Sequence, residues 1–358
     1  MCTNFILNAG DGSYINGRSM EFGKWGIDES QIVLLPKGEQ LFAVVEGEDR
    51  ATFKYNVIGM NAGPHKNVDP IFPDAKTILT DGMNDQGLAC GSLWMPDSNY
   101  RTRPELGVKS VFVAMFNNWV LGCCASVDEV REQIKAGSVV LWENGMLQEL
   151  NMLPLHFAVM DKCGKQIVIE YTNDDGTPSI YDNPVNVLTN APGYPTQVTL
   201  MEKTIENNGQ RIQPNNPATT PYPGNGYGLI GTPGDPTPPA RFTKIAIWKE
   251  FATDTTSGYG LKTARDSKIL AWHLLNCVDI PYGVCRFGGQ SDYTAWSVVK
   301  DLTNLEYQVR MYGSSVPYSI SFSAFDCYTW TEPKVIPIPD DLLALPLDLE
   351  LKDGSIHH

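Results

Sequence analysis

Three shortages narrow what this 358-residue chain can be before any motif is considered. Apolar runs are short: none reaches the roughly 20 residues that a membrane-spanning helix requires. The first residues also lack the basic and apolar regions of a secretory signal. Two readings of location follow, a cytosolic protein or an exported one whose leader has been lost and replaced by Met1. Positive charge is scarce as well, with 27 Lys and Arg against 41 Asp and Glu and a net charge of −14. Long-range repulsion therefore disfavours nucleic acid or an anionic membrane as a partner. Metal-type spacing is missing too: the five histidines are scattered, no C-x-x-C occurs, and His357-His358 resemble the stub of a tag. Eight cysteines (Cys2, Cys90, Cys123, Cys124, Cys163, Cys277, Cys285 and Cys327) are too thinly spread for a disulfide scaffold.

What is present is an ordinary globular composition, 42% hydrophobic and 19% charged, with enough length to bury a large core. Residues 2–61 read as short strands ("TNFIL", "YINGRSME", "QIVLLP", "LFAVVEG", "FKYNVIGMN") separated by Gly, Asp, Pro and Lys clusters. A further strand, "LACGSLWM", follows the "NDQG" turn. "KSVFVAMFNNWVLGCC" is apolar on most faces and predicts a long buried helix, and Ser126 with Glu129 gives a capping-box start to "VDEVREQIKAG". Strands return as "PLHFAVMD" and "QIVIEYT" around "KCGK", and as "NPVNVLTNAP". A Pro-, Gly- and Asn-rich stretch at about 209–240 has the chemistry of a surface or active-site loop. A helix at "DSKILAWHLLNCV" precedes the closing strands, "AWSVVKDLTNLEYQVRMY" and "SISFSAF". Strands come in blocks without single crossover helices between them, which predicts stacked antiparallel sheets flanked by helices in one domain, 2–350.

Cys2 is the first candidate for chemistry. A thiolate, not a thiol, attacks a carbonyl carbon. If Met1 is removed, the α-amine of Cys2, with a reference pKa of about 7.7–8.0, can accept the thiol proton directly or through one water. The alternative is a small apolar residue opening a buried strand. In "NGRSMEFG", Arg18 could favour the thiolate and Glu21 could hold the α-ammonium, but three residues apart on a strand they point to opposite faces; an ordinary surface pair is the other reading. Asn190, before a Pro-Gly turn in "VLTNAPGY", is either an oxyanion donor or a turn residue. Arg241, at the end of "GTPGDPTPPARF", is either a second charge near the site or a cation covering a sheet edge. Phe22, Trp94 and the "YPGNGYG" loop could wall an acyl pocket or simply fill core. His65, His156 and His273 have no partner at catalytic spacing and are treated as structural, and Asn84 is read as a turn residue.

Taken in order, "MC", "GRSMEFG", "GMNDQGLACGSLWMP", "VLTNAP", "GTPGDPTPPARF", "VDIPYGVCR" and "YTAWSVVKDLTNLEYQVRMY" resemble the choloylglycine hydrolase and penicillin V acylase family over most of the chain. The resemblance implies an α+β N-terminal nucleophile hydrolase with a four-layer αββα sandwich. It implies that Cys2, exposed by loss of Met1 or of a longer leader, cleaves a linear amide through a thioester, with no metal or organic cofactor. Carried over residue by residue, Arg18 supports the thiolate, Asn190 donates to the oxyanion and Arg241 stabilises the site. Two positions depart from the family pattern: Glu21 stands where Asp is usual, and Trp94 where bile-salt enzymes have Asn and some penicillin acylases Tyr. Trp94 has no side-chain amide, so either a backbone N–H there serves the oxyanion or its indole lines the acyl pocket. Trp94 resembles the Gram-negative branch, which tends toward penicillin V and acyl-homoserine lactones. The partner expected is a small N-acyl amide, and the family is often tetrameric. Conjugated bile salts, N-acyl lipids and a non-catalytic binding module on the same fold are the alternatives.

Overall fold

A computed structural model of the protein describes residues 1–22, 27–41, 50–63, 75–105, 107–145, 153–207, 212–213, 226–255, 260–326, 331–343, 350–352 and 355–357. Most of the expected "LFAVVEG" strand, His65, Cys327 and much of the Pro/Gly-rich stretch lie outside these residues.

Two antiparallel sheets carry the architecture. The first has six strands in the order β12 (Val187–Leu188), β1 (Cys2–Asn8), β2 (Tyr14–Glu21), β15 (Thr294–Asp301), β16 (Glu306–Met311) and β17 (Tyr318–Ser321). The second has eight, in the order β11 (Ser179–Asp182), β10 (Gln166–Glu170), β9 (Leu155–Asp161), β6 (Leu88–Trp94), β5 (Leu79–Asn84), β4 (Val57–Asn61), β3 (Ile32–Leu35) and β18 (Lys334–Ile336). A short parallel pair, β7 (Lys109–Phe112) with β8 (Val139–Trp142), and a hairpin, β13 (Cys285–Phe287) with β14 (Gln290–Asp292), lie beside them.

The strand pleat distributes side chains between two cores. On β6, Ala89 and Leu93 face the six-stranded sheet, whereas Leu88 and Cys90 face the helix α1 (Phe116–Cys123). Both faces are thus buried, and each fully covered Leu, Phe or Met side chain contributes about 1.5–3 kcal/mol. Helix α1 lies on the eight-stranded sheet, and α2 (Val127–Lys135) joins it there against β8 and β9. On the other side, α4 (Pro238–Thr253) packs on β1 and β12 and α5 (Ala264–Asn276) on β2 and β15, with α3 (Tyr194–Asn207) against α4. The layers therefore run helix, sheet, sheet, helix, as the resemblance implied.

Helix α2 starts where its capping chemistry predicts: Ser126 Oγ accepts from Glu129 N at 3.2 Å, while the Glu129 carboxylate accepts from Ala125 N at 2.8 Å. The "KCGK" hairpin between β9 and β10 also forms. One expectation is corrected, and several elements have no counterpart in the sequence reading. "KSVFVAMFNNWVLGCC" is not one helix but β7, a 3-10 turn (Val113–Met115) and α1, because a fully buried apolar run has no periodicity that separates strand from helix. Strand β5 went unpredicted, its "LTDGMN" carrying Asp, Gly and Asn that strands normally avoid. Helices α3 and α4 were missed; α4 emerges directly from the loop-like stretch, its Pro238 and Pro239 occupying the first turn, where the absent N–H groups cost nothing.

Candidate active site

Strand β1 opens on Cys2, which is 3% exposed and paired with Met20 of β2. Its Sγ touches Met20 Sδ at 3.6 Å. In the antiparallel register Asn4 lies opposite Arg18, so Arg18 projects to the same face as Cys2 from one pleat further on. Its Nη2 reaches to 3.9 Å from Cys2 Sγ and donates to Ser92 O at 2.5 Å. The guanidinium lies over the Trp296 ring, 5.0 Å from its centroid.

Met1 prolongs the β1–β2 pairing by one residue: its amine donates to Glu21 O, and its carbonyl accepts from Glu21 N at 2.7 Å. Cys2 N–H donates to Asn190 Oδ1 at 2.6 Å. Asn190 lies two residues beyond the end of β12, and its Nδ2 donates to Trp94 O at 2.9 Å. Two donors on Oδ1, Cys2 N and Arg241 Nη2 (2.9 Å), and one acceptor at Nδ2 dictate the amide orientation.

Arg241 comes from the first turn of α4 and is buried, so it does not cover a sheet edge. Its Nη1 donates to Cys2 O (2.6 Å) and Thr3 Oγ1 (2.5 Å), and its Nε to Pro236 O (2.9 Å). Glu21 points away from Arg18, as the strand spacing required. Its carboxylate faces Arg241 Nη1 at 3.8 Å and accepts from Thr294 Oγ1 at 3.1 Å. Burial pushes the Glu21 carboxyl above its ordinary value, against the attraction of Arg241. Burial likewise lowers the Arg241 guanidinium, against the attraction of Glu21. In both groups desolvation outweighs the ion pair, as expected for charges held apart at 3.8 Å in a dry interior.

The Sγ face of Cys2 opens on an apolar cavity of about 110 Å³. Met20, Phe22, Ile27, Leu79 and Leu155 line it, with the Trp94 indole, whose ring centroid is 5.5 Å from that of Phe22. The structure thus gathers Cys2, Arg18, Phe22 and Trp94 around the cavity and places Arg241 with Glu21 behind the Cys2 backbone, with the Asn190 amide joining the two groups through Trp94 O on one side and Arg241 on the other.

Several contributing residues escaped the sequence reading. His156 is buried on β9, the neighbour of the β6 strand that carries Trp94. Its Nε2 donates to Thr189 O at 2.8 Å, and its Nδ1 lies 3.0 Å from Glu170 Oε1, which also accepts from Tyr194 N at 2.8 Å. The pair clamps the backbone on both sides of Asn190. Gln197 of α3 adds donations to Asn190 O and to Pro192 O (2.7 Å). Asp81, Lys300 and Tyr307 form a buried polar group behind Arg18. The one sequence signal for it is a lysine that continues the largely apolar "AWSVV" run within the same buried strand, "TAWSVVKD". Asn84 serves its turn, accepting from Gln86 N and Leu88 N at 3.1 Å, and also ties α1 through Leu121 O and Cys124 O at 2.8 Å. The seven described cysteines are free thiols.

No helix among the described residues is long and apolar enough to cross a membrane. Comparison with known proteins adds the following. Residues 2–327 match the linear amide C-N hydrolases of the choloylglycine hydrolase family. A bile salt hydrolase/transferase from Clostridium perfringens is 30% identical over 294 residues, 80% of this chain and 81% of its own length. A penicillin V acylase from Pectobacterium atrosepticum is 32% identical over 123 residues, 34% of this chain and 32% of its own. Among solved structures, a variant of the conjugated bile acid hydrolase from Clostridium perfringens superposes with a TM-score of 0.78 at 24% identity, covering 97% of this chain and 99% of that one. Penicillin V acylase from Agrobacterium tumefaciens gives 0.72 at 18% identity, with coverage of 96% and 94%. The structural matches establish the shared fold, and the matches in sequence carry the chemistry: the chain belongs to the choloylglycine hydrolase family and is an amidohydrolase acting on linear amides.

Proposed function

We propose that Cys2, freed of Met1, is the nucleophile of an acylase for small N-acyl amides of the penicillin V or acyl-homoserine lactone type. The observation that carries this reading is the apolar cavity against which Cys2 lies, walled by Phe22 and Trp94. At about 110 Å³ it is of the order of the roughly 150 Å³ apolar cavity that accepts benzene, and so suits an aryl or short acyl group. The Trp94 indole lines it, and the Trp94 carbonyl aims the Asn190 amide.

In this reading the liberated α-amine stays against Asn190 Oδ1, where Cys2 N already sits, and takes the thiol proton. Arg18 favours the thiolate. The thiolate attacks the amide carbonyl, and the second N–H of Asn190 Nδ2, the one not given to Trp94 O, donates to the oxyanion. The neighbouring Met95 N–H is committed to Pro154 O at 2.8 Å and takes no part. The ammonium then protonates the leaving amine, and water hydrolyses the thioester by the reverse proton path. Arg241 fixes Cys2 O and the Asn190 amide, and Glu21 balances Arg241 rather than touching the reacting atoms.

A second reading, conjugated bile salt hydrolysis, is favoured by the match to the Clostridium perfringens relative over most of the chain. A hydrolysis panel of penicillin V, homoserine lactones of varied acyl length, and glyco- and tauro-conjugated bile salts separates the two. Preference for the first two classes supports the primary reading, and preference for bile salts overturns it in favour of the second. Full turnover by Cys2→Ala, or an intact mass that retains Met1 in active protein, overturns the nucleophile assignment itself.

A further inference from the structure

The six-stranded sheet sends three polar side chains into the space between the sheets, Arg18 from β2, Lys300 from β15 and Tyr307 from β16. Among the described residues they meet a single acid, Asp81 of β5, from the opposite sheet. Arg18, Asp81, Lys300 and Tyr307 are all inaccessible to solvent. Asp81 spends both oxygens on partners other than Arg18: Oδ1 accepts from Lys300 Nζ at 2.5 Å and Oδ2 from Tyr307 OH at 2.7 Å. Arg18 Nη1 stays 3.6 Å from Asp81 Oδ1, and neither Nη1 nor Nε makes a hydrogen bond among the described residues.

We propose that Lys300, acting through Asp81, is a positioning residue that reserves the charge of Arg18 for Cys2. This rests on the reading of Cys2 as nucleophile and of Arg18 as its charge partner. The physical reason is a charge balance in a dry space. Arg18, Lys300 and Asp81 together carry +1, and the group that makes the set neutral is a thiolate at Cys2, 3.9 Å from Arg18 Nη2. Without Lys300, Asp81 becomes the counterion of Arg18, a bidentate pair forms, and little net field is left at the sulfur.

Gly91 of β6 keeps the arrangement tight. A Cβ there would sit 3.1 Å from Arg18 Cδ and Nε and from Asp81 Oδ1, so main chain packs directly over the contact, while Trp296 closes the other face of the guanidinium. The charged and titratable groups facing Lys300 are Asp81 (β5), Arg18 (β2), Tyr307 (β16) and Cys90 (β6). Tyr307 and Cys90 are both pushed toward their neutral forms by burial, which leaves Asp81 as the counterion of Lys300. Burial lowers the Lys300 ammonium too, and the Asp81 carboxylate, accepting from it at 2.5 Å, is what opposes that loss of charge.

The test is the pH dependence of iodoacetamide alkylation at Cys2, read by peptide mass spectrometry on purified full-length protein. Lys300→Met raises the alkylation midpoint by about one pH unit, Asp81→Asn lowers it, and the double variant, in which Arg18 again stands alone, returns to within about 0.3 unit of the parent. Opposite shifts that cancel are not produced by a merely structural role. Should Lys300→Met fail to fold, the Asp81→Asn and double variants, which leave no unpaired carboxylate, decide the question. An unmoved or raised midpoint in Asp81→Asn, or a double variant that does not return, overturns the proposal. Arg18→Met separates the two levels: if it leaves the midpoint unchanged, the role of Arg18 itself fails. If it raises the midpoint while the other variants stay at the parent value, only the assignment of Lys300 and Asp81 fails.

Discussion

Replacing Arg241 by Met keeps an unbranched side chain in α4 but removes a cation that holds four acceptors, Pro236 O, Cys2 O, Thr3 Oγ1 and Asn190 Oδ1. It also strips Glu21 of its countercharge. Breaking a buried ion pair by deleting one partner costs about 3–5 kcal/mol, and hydrogen bonds to a charged group are worth about 1.5–3 kcal/mol each, though not additively. Against a total stability of about 5–15 kcal/mol, a loss of at least 4 kcal/mol is expected in urea unfolding. Most of it has a diagnosable origin. Burial already raises Glu21, and without Arg241 its folded pKa rises further above the unfolded value of about 4.3. Between those two values the folded state holds the extra proton, so the stability of Arg241→Met increases as pH falls from the raised folded pKa toward about 4.3. Glu21→Gln placed in the Arg241→Met background removes the buried charge, recovers about 2 kcal/mol at pH 8 and abolishes this pH dependence. Arg241→Met within 1 kcal/mol of the parent, or a deficit that grows toward low pH, would refute the buried-pair account.

Three further outcomes are expected. Asn190→Asp retains an oxygen for Cys2 N and Arg241 but cannot donate to an oxyanion, so kcat falls about 10²–10³-fold with KM little changed, measured by steady-state hydrolysis of the preferred panel substrate. Lys249, whose ammonium burial lowers to about 7 while it donates to Val185 O, is neutral in the folded state over a range where it is charged when unfolded. Stability from this residue therefore rises with pH between about 7 and 10.4, and the difference between parent and Lys249→Met unfolding curves slopes accordingly. Ser126→Ala removes the N-cap of α2 and lowers stability by about 1 kcal/mol without touching turnover, since the cap lies on the far helical layer.

Legibility in the sequence followed the length scale of the signal. The "KCGK" hairpin and the Ser126 cap are settled by residues within four positions of one another, and both formed. Arg18 is separable from Glu21 by strand alternation alone, because the pleat puts residues 18 and 21 on opposite faces, whereas the placing of Cys2 beside Arg18 depends on the β1–β2 register. Local signal failed where burial on both sides removed periodicity, as in β7 and α1, and where loop-like composition hid a helix start, as at Pro238 and Pro239.

By itself, the sequence determined the strand-rich core, the place of Cys2 at the mouth of its first strand and, through ordered motifs, the family. Tertiary structure alone decided which charges answer one another. Glu21 meets Arg241 from 220 positions away, Asp81 meets Lys300 across the gap between the sheets, and His156 and Glu170 clamp the chain beside Asn190. In a dry interior a charge must find its partner wherever packing brings one within reach, and that depends on how the sheets stack rather than on spacing along the chain.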